Sequence, residues 1–378
     1  MRRSAAACLS VLLVSATAAV AATAVPAAGE GHGWVSEPAP QTLRKAMWGP
    51  PAGPDGESMF PTYRDLGVGI YSIQARWDQI AHDARPGDAT DPGDPAYQWP
   101  QYLTDAIAEA ESHGMQVQVL IMGSPSWSNG GRPWKWAPDE TSDFADFATA
   151  IARRYPSVHL WMIWGEPNRK PNFGPLKPST SANGKLNAQQ RVAPQRYAQL
   201  LDAAYEALKA EDPANKVIGG NTYTASGKGD INTYQWIRYM RLPDGSRPRM
   251  DMWGHNPWGS TIPKLRSKPS PRGAVTFNDL GRLLKALDRA RFPGPRLKLF
   301  LAEWGVPTGF RDEDLLYKLK VSEAERWLRA AYRIVRSKPR IYTLGWVHPL
   351  DNPRNSMGLL NRHGKPKLIY DVYKSIRG

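Results

Sequence analysis

The chain has 378 residues, of which 41% are hydrophobic and 22% charged, with a formal net charge of +14 and 15 tryptophans. Its hydrophobic content and length are sufficient for a substantial core. The basic residues are scattered and match no nucleic-acid-binding motif, which argues against a nucleic-acid partner and leaves two readings of the charge: solubility with loose adhesion to an anionic cell surface, or an acidic polysaccharide substrate.

The chain opens on Met1-Arg2-Arg3, continues through an alanine-rich apolar stretch from Ala5 to Ala22, and reaches Ala22-Thr23-Ala24 before Val25-Pro26. A basic start, an apolar run too short to span a bilayer comfortably and an A-x-A site predict a secretory signal over residues 1–24, removed on export to the extracellular side. The single cysteine, Cys8, lies inside that signal, so the mature protein is expected to rest on its core without disulfides. Residues 25–40, rich in Ala, Gly and Pro, are expected to form a flexible leader. No later segment is long and apolar enough for a membrane span.

From residue 41 onward, apolar runs of strand length alternate with amphipathic stretches. Strands are predicted at 45–48, 67–74, 115–122, 158–164, 216–220, 251–255, 297–303 and 341–346. Helices are predicted at 102–112, 141–154, 194–210, 231–241, 277–291, 322–337 and 368–376. The segment 101–114 illustrates the pattern, with Leu103, Ile107 and Ala110 on one helix face and Gly114 where a C-cap belongs. This alternation predicts a single (β/α)8 barrel over residues 41–378. A doubly wound sheet would carry a Gly-rich phosphate turn after its first strand, and Trp48-Gly49-Pro50-Pro51 is nothing like one. The long segments after the strands, 78–99, 123–139, 169–193, 256–276 and 306–321, would all rise from one face of a barrel and wall a cleft.

Two strands end in a glutamate. His159-Leu160-Trp161-Met162-Ile163-Trp164 runs into Gly165-Glu166-Pro167-Asn168, and Leu297-Lys298-Leu299-Phe300-Leu301-Ala302 runs into Glu303-Trp304-Gly305. A buried strand that delivers a carboxylate to its C-terminal end is costly unless that end opens onto a site. Glu166 ends the fourth predicted strand and Glu303 the seventh, so both reach one barrel mouth from opposite sides. Paired carboxylates in that arrangement are what glycosidic bond hydrolysis requires.

Trp164-Gly165-Glu166-Pro167-Asn168 resembles the acid/base motif of the large clan of retaining glycoside hydrolases with (β/α)8 barrels, and Ala302-Glu303-Trp304-Gly305 resembles its nucleophile motif. Further positions resemble the clan: Arg76-Trp77 past the second strand, Ser124-Pro125-Ser126-Trp127 after the third, His255 ending the sixth, Trp346 ending the eighth, and Gly358-Leu359-Leu360-Asn361 with Gly364-Lys365-Pro366 near the close. The pattern is most like family 39, with family 5 next. The resemblance implies that Glu166 is the acid/base and Glu303 the nucleophile. It also implies that Arg76 and His255 tune the nucleophile, and that Trp127 and Trp346 are sugar platforms.

Two positions depart from the clan. It usually has Asn before the acid/base glutamate, where the amide binds the sugar 2-hydroxyl; this chain has Gly165, and Asn221 or Asn256 is expected to supply the amide instead. It often has Tyr shortly after the sixth-strand His, bonded to the nucleophile; this chain reads His255-Asn256-Pro257-Trp258.

Each residue also has a structural reading. Glu303 would then pair with an arginine such as Arg76, and Glu166 would be a turn residue. His255 would be a satisfied core histidine, and the tryptophans, including the rim candidates Trp134, Trp136 and Trp258, would be core or loop packing. Seven histidines without a His-Glu-x-x-His or paired-cysteine motif predict neither metal nor cofactor. The expectation is therefore an exported, monomeric retaining glycoside hydrolase acting on a poly- or oligosaccharide. The rival readings are a barrel that binds glycan without cleaving it, and a lyase or transglycosylase on the same scaffold.

Overall fold

The computed structural model describes residues 43–179, 184–224, 229–313 and 315–377. The signal and leader expected over residues 1–40 lie outside these. Eight parallel strands close into one barrel in chain order: β1 (Arg44–Trp48), β2 (Val68–Arg76), β3 (Gln116–Met122), β4 (Leu160–Ile163), β5 (Lys216–Tyr223), β6 (Met252–Asn256), β7 (Lys298–Trp304) and β8 (Ile341–Trp346). β8 closes on β1, with Leu344 opposite Lys45. The expected single (β/α)8 barrel is the fold observed. Its strands are buried on both faces, as in β4, where all four residues are buried, because side chains fill the barrel inside and helices cover it outside.

The helices are α1 (Phe60–Asp65), α2 (Trp77–Ile80), α3 (Gln101–Ser112), α4 (Thr141–Arg154), α5 (Ala188–Glu211), α6 (Thr233–Tyr239), α7 (Leu280–Ala290), α8 (Val321–Arg336) and α9 (Leu368–Ser375). Their inner faces follow the 3.6-residue period. In α4, Phe144, Phe147, Ala148 and Ile151 are buried; in α8, Ala324, Leu328, Ala331, Tyr332 and Val335 are. Burying one large apolar side chain contributes roughly 1.5–3 kcal/mol, whereas helix propensities differ by less than about 1 kcal/mol per residue, so packing holds these helices.

Three elements differ from expectation. α1 and α2 are not among the expected helices, since six and four residues carry too little periodicity to be distinguished from a loop. α5 begins at Ala188, not at Pro194. Asn187 and Gln190 form a reciprocal capping box there, and Pro194 is carried inside the helix. Much of the tryptophan content is structural: Trp77, Trp161, Trp164, Trp236, Trp253, Trp304 and Trp346 are among the most fully buried side chains. Among the described residues, no helix is long and apolar enough to cross a membrane.

Candidate active site

β4 stops at Ile163, and the chain then turns sharply, with Trp164 at φ 65° and Glu166 at φ 47°. Residues with a Cβ rarely adopt such angles, which cost about 1–3 kcal/mol each and persist only when neighbours enforce them. Trp164 is buried and its indole donates to the Asn172 carbonyl at 2.8 Å. The Glu166 main-chain N–H donates to the Asn221 carbonyl at 3.1 Å. Asn221 is itself at φ 33°, next to Gly220 at φ 78°, where the β5–β6 register shifts. Asn168 fastens the far side of the turn: its amide donates to the Ile231 carbonyl at 3.0 Å and accepts from the Tyr223 N–H at 2.9 Å.

The Glu166 carboxylate is buried, and both of its oxygens accept hydrogen bonds. Asn256 Nδ2 donates to Oε1 at 2.8 Å; Arg169 Nη1 donates to Oε2 at 2.8 Å, and Asn172 Nδ2 reaches the same oxygen at 3.4 Å. Arg169 lies over the Tyr223 ring, 4.3 Å from its centroid, with Asp230 4.0 Å from its Nε. Burial works against the Arg169 charge, but Glu166, Tyr223 and Asp230 outweigh it and raise its pKa above the ordinary arginine value.

Glu303 has the opposite environment. It is the penultimate residue of β7, half-buried, in regular strand geometry, and accepts no hydrogen bond from any described residue. Burial penalises its charge and the Glu166 carboxylate adds to the penalty. Arg169 works the other way and is outweighed, so the Glu303 pKa is pushed up to about 8. The Glu166 charge therefore bears on Glu303 at the barrel mouth.

The other expected site residues fall into two groups. Asn256 touches Glu166, but its amide is spent on that carboxylate, and Asn221 contributes its main-chain carbonyl, its side-chain Oδ1 being buried without a partner. None of the remainder is hydrogen-bonded or ion-paired to either glutamate. Arg76, expected to pair with Glu303, instead makes a two-pronged ion pair with Asp78, 2.7 Å on each arm, and lies 4.2 Å over Trp134. That pair sits on Gly123, where a Cβ would come within 2.0 Å of Asp78 Oδ1. His255 is fully buried; its Nε2–H donates to the Val275 carbonyl at 2.8 Å and Nδ1 accepts from the Thr222 hydroxyl at 2.9 Å. Burial pushes its pKa down to about 4, so it is a neutral, satisfied core histidine.

The tryptophan platforms also change. Trp346 is 1% exposed, donates to the Met357 carbonyl at 2.9 Å, and is packed edge-on by Trp304 and Tyr373, so no face is open to a sugar. Trp258 is likewise buried. Trp127 is half-buried against Trp77, its indole donating to the Ala81 carbonyl at 2.8 Å and Arg85 lying over its ring. The half-buried tryptophan beside the nucleophile candidate is Trp48, at the end of β1, which donates to the Ala302 carbonyl at 3.1 Å. Sequence reasoning missed Trp48 and Arg169. The first ends a short strand and is marked by no carboxylate or turn motif; the second had a legible signal, a cation three residues past Glu166 in the turn. Among the described residues, no group of three or more His, Asp or Glu side chains is gathered as a metal ion would require.

No protein-family model matches the chain, and neither does any curated protein sequence. Solved structures do. A family 39 glycoside hydrolase from Bacteroides cellulosilyticus aligns with a TM-score of 0.60 at 15% identity, over 88% of this chain and 63% of the neighbour, so this chain spans less than two thirds of that protein. A monomeric beta-xylosidase from Caulobacter crescentus aligns with a TM-score of 0.60 at 18% identity, over 89% of this chain and 69% of its own. A glucosidase from Croceicoccus marinus aligns with a TM-score of 0.59 at 16% identity, over 89% and 68%. At these identities the likeness is one of fold.

Proposed function

We propose that this barrel is an exported retaining glycoside hydrolase, with Glu303 as nucleophile and Glu166 as acid/base. One observation carries the reading: two glutamates, one just past β4 and one in β7, stand at the same end of one closed barrel. The fold neighbours, which include a xylosidase and a glucosidase, support the same reaction class.

In the first step a Glu303 oxygen bonds to the anomeric carbon as the bond from that carbon to the leaving oxygen breaks, and Glu166 gives its proton to that oxygen. In the second, Glu166 takes a proton from water, whose oxygen displaces Glu303 and restores the original anomeric configuration. The active form has Glu166 protonated and Glu303 ionised. Two features of the resting site oppose that form: Glu166 is engaged by Arg169, and Glu303 has no donor. A carboxyl that donates a proton must first give up its ion pair, so entering substrate has to draw Arg169 from Oε2. A sugar hydroxyl placed against Glu303 supplies the donor that the chain lacks, and its bond strengthens as charge develops in the transition state.

The test is a glycan panel, including acidic and arabinose-containing polymers, with product sizes read by mass spectrometry and the first-formed anomer by NMR. A retained anomer is expected; an inverted one sinks the double-displacement reading.

A further inference from the structure

The face opposite the mouth carries charge that the proposed chemistry does not use. In a parallel barrel, the turns leading from helices into strands lie at the strand N-termini, away from the catalytic end. Two such turns, 240–251 before β6 and 291–297 before β7, border a cleft of about 800 Å³ lined by Arg241, Arg247, Arg289 and Arg291. A smaller cavity of about 170 Å³ shares Asp288 and Arg291 with it and extends the groove to Arg296. Among the described residues, Asp288 is the only carboxylate lining either cavity, and it is committed to Arg340 at 2.8 and 3.0 Å.

Among the described residues, none of these five arginines has an ion-pair partner. The mouth-side loops differ: Arg76, Arg85 and Arg132 are each matched by an aspartate, Asp78, Asp143 and Asp139. Arg247 is the most constrained of the five. It is buried, donating through Nη1 to the Ile237 and Met240 carbonyls and through Nε to the Ala290 carbonyl. Burial, and then the charge of Arg241, push its pKa down to about 10. A buried guanidinium without a counter-charge, beside a second cation, is stabilised by any anion that enters the cleft.

The surroundings also indicate which anion. Arg247 caps the C-terminal ends of α6 and α7, where the carbonyls carry partial negative charge, so a compact doubly charged phosphate is disfavoured at the floor. Guanidinium groups spaced around the groove suit single carboxylates spaced along a chain, each held by a planar fork. We propose that this cleft is a second glycan-binding site, which takes successive carboxylates of an acidic polysaccharide and tethers the protein to that polymer while the mouth works from the opposite face. The choice of a glycan among polyanions rests on the hydrolase reading above; the anion cleft itself does not.

The experiment uses the full mature chain carrying Glu303→Gln, so that the polymer is not shortened, and titrates it with polygalacturonate, dextran, polyphosphate and duplex DNA. Polygalacturonate is expected to bind, dextran not, and binding to weaken as salt rises. The triple variant Arg241→Ala/Arg289→Ala/Arg291→Ala, all exposed residues, is expected to lose about tenfold or more of the polygalacturonate affinity with unchanged thermal unfolding. In the wild-type background the same triple change leaves turnover of a small aryl glycoside unaltered. A Lys triple retains binding partly, because it keeps charge and loses the fork. The proposal is overturned if the Ala triple binds polygalacturonate as tightly as its parent, or if polyphosphate or DNA binds as well as polygalacturonate. Arginine-dependent polygalacturonate binding by a protein that turns over no glycoside would keep the cleft and remove the hydrolase reading.

Discussion

The β4 and β7 ends of the barrel each present one glutamate, and the two are built in contrary ways. Past β4 the backbone is strained at Trp164 and Glu166, the carboxylate is buried, and Asn256, Arg169 and Asn172 all donate to it. On β7 the backbone is regular strand and the carboxylate has no donor among the described residues. A rigid, fully bonded carboxylate is one whose position is fixed before substrate arrives, whereas a carboxyl left without donors keeps its bonding capacity for the ligand. The contrast assigns positioning to one end and responsiveness to the other. It also explains how one fold can separate the behaviour of two chemically identical side chains.

The largest expected effect comes from Glu303→Gln, which should lower turnover by roughly 10⁴-fold or more, since the attacking atom is lost. The same variant tests the claim that Glu303 lacks compensation. Glu303 keeps its proton in the folded protein up to about pH 8 but releases it near 4.5 when unfolded. Below about pH 4.5 both states are protonated; between there and about 8, stability falls as pH rises, because only the unfolded state gains from ionisation. Gln is neutral throughout. Melting temperatures of variant and wild type should therefore coincide near pH 4, with the variant ahead near pH 8 by about 1–3 kcal/mol of stability. An equal offset at both pH values would mean that burial does not penalise this carboxyl.

Next in size is Glu166→Ala, with a loss on the order of 10²–10⁴-fold on substrates with poor leaving groups, the usual range for general acid–base catalysis. Aryl glycosides with good leaving groups should still pass the first step, and azide should restore release as a glycosyl azide of retained configuration. Absence of azide rescue would leave Glu166 as a structural residue of its strained turn.

Arg169→Met sharpens the comparison because this one cation bears on both ends. The proposed mechanism needs one proton at the site, and Glu303 holds its own up to about pH 8, so kcat/KM should fall as pH rises through about 8. Arg169 lowers the pKa of Glu303, so its removal should move that alkaline limb to higher pH. A limb that stays in place, or moves down, removes Arg169 from the charge balance of the pair.

The barrel was legible in the sequence because its signal is repeated eight times. Each apolar run is followed by turn residues and, after all but the first, by an amphipathic segment, and even β4, only four residues long, was found within a residue or two of its ends. The two glutamates were legible for a related reason, a charge at the end of a buried run. Their partners were not. Arg76, expected just past the second strand, is the last residue of β2, and Asp78, two residues on, captures its guanidinium before any distant carboxylate can. Asn256 reads in the sequence as an amide donor for the sugar; at the end of β6 that amide donates to Glu166 instead. Trp346 was marked as a platform because it ends a strand, but whether an indole faces solvent or the barrel interior depends on packing from Trp304 and Tyr373, which no local pattern encodes.

The smallest effect isolates the strained backbone that distinguishes the β4 side. Asn221 holds Glu166 through its main-chain carbonyl at a φ of 33°, which a Cβ-bearing residue occupies at a cost that glycine avoids. Asn221→Ala keeps the Cβ and loses the amide; Asn221→Gly loses both and relaxes the backbone. At an ordinary position glycine is the less stable of the two by roughly 0.5–1 kcal/mol. Here the order should reverse, with Gly above Ala by about 1 kcal/mol in chemical denaturation, because relief in the left-handed region exceeds the added chain entropy. Turnover then separates the two roles of the residue. If the Asn221 side chain binds sugar, both variants lose activity alike; if only its carbonyl matters, both keep it, since either substitution leaves the bond to the Glu166 N–H in place. Should Ala prove the more stable, the Asn221 backbone is not strained, and the rigidity of the Glu166 turn must come from Trp164 and Asn168 alone.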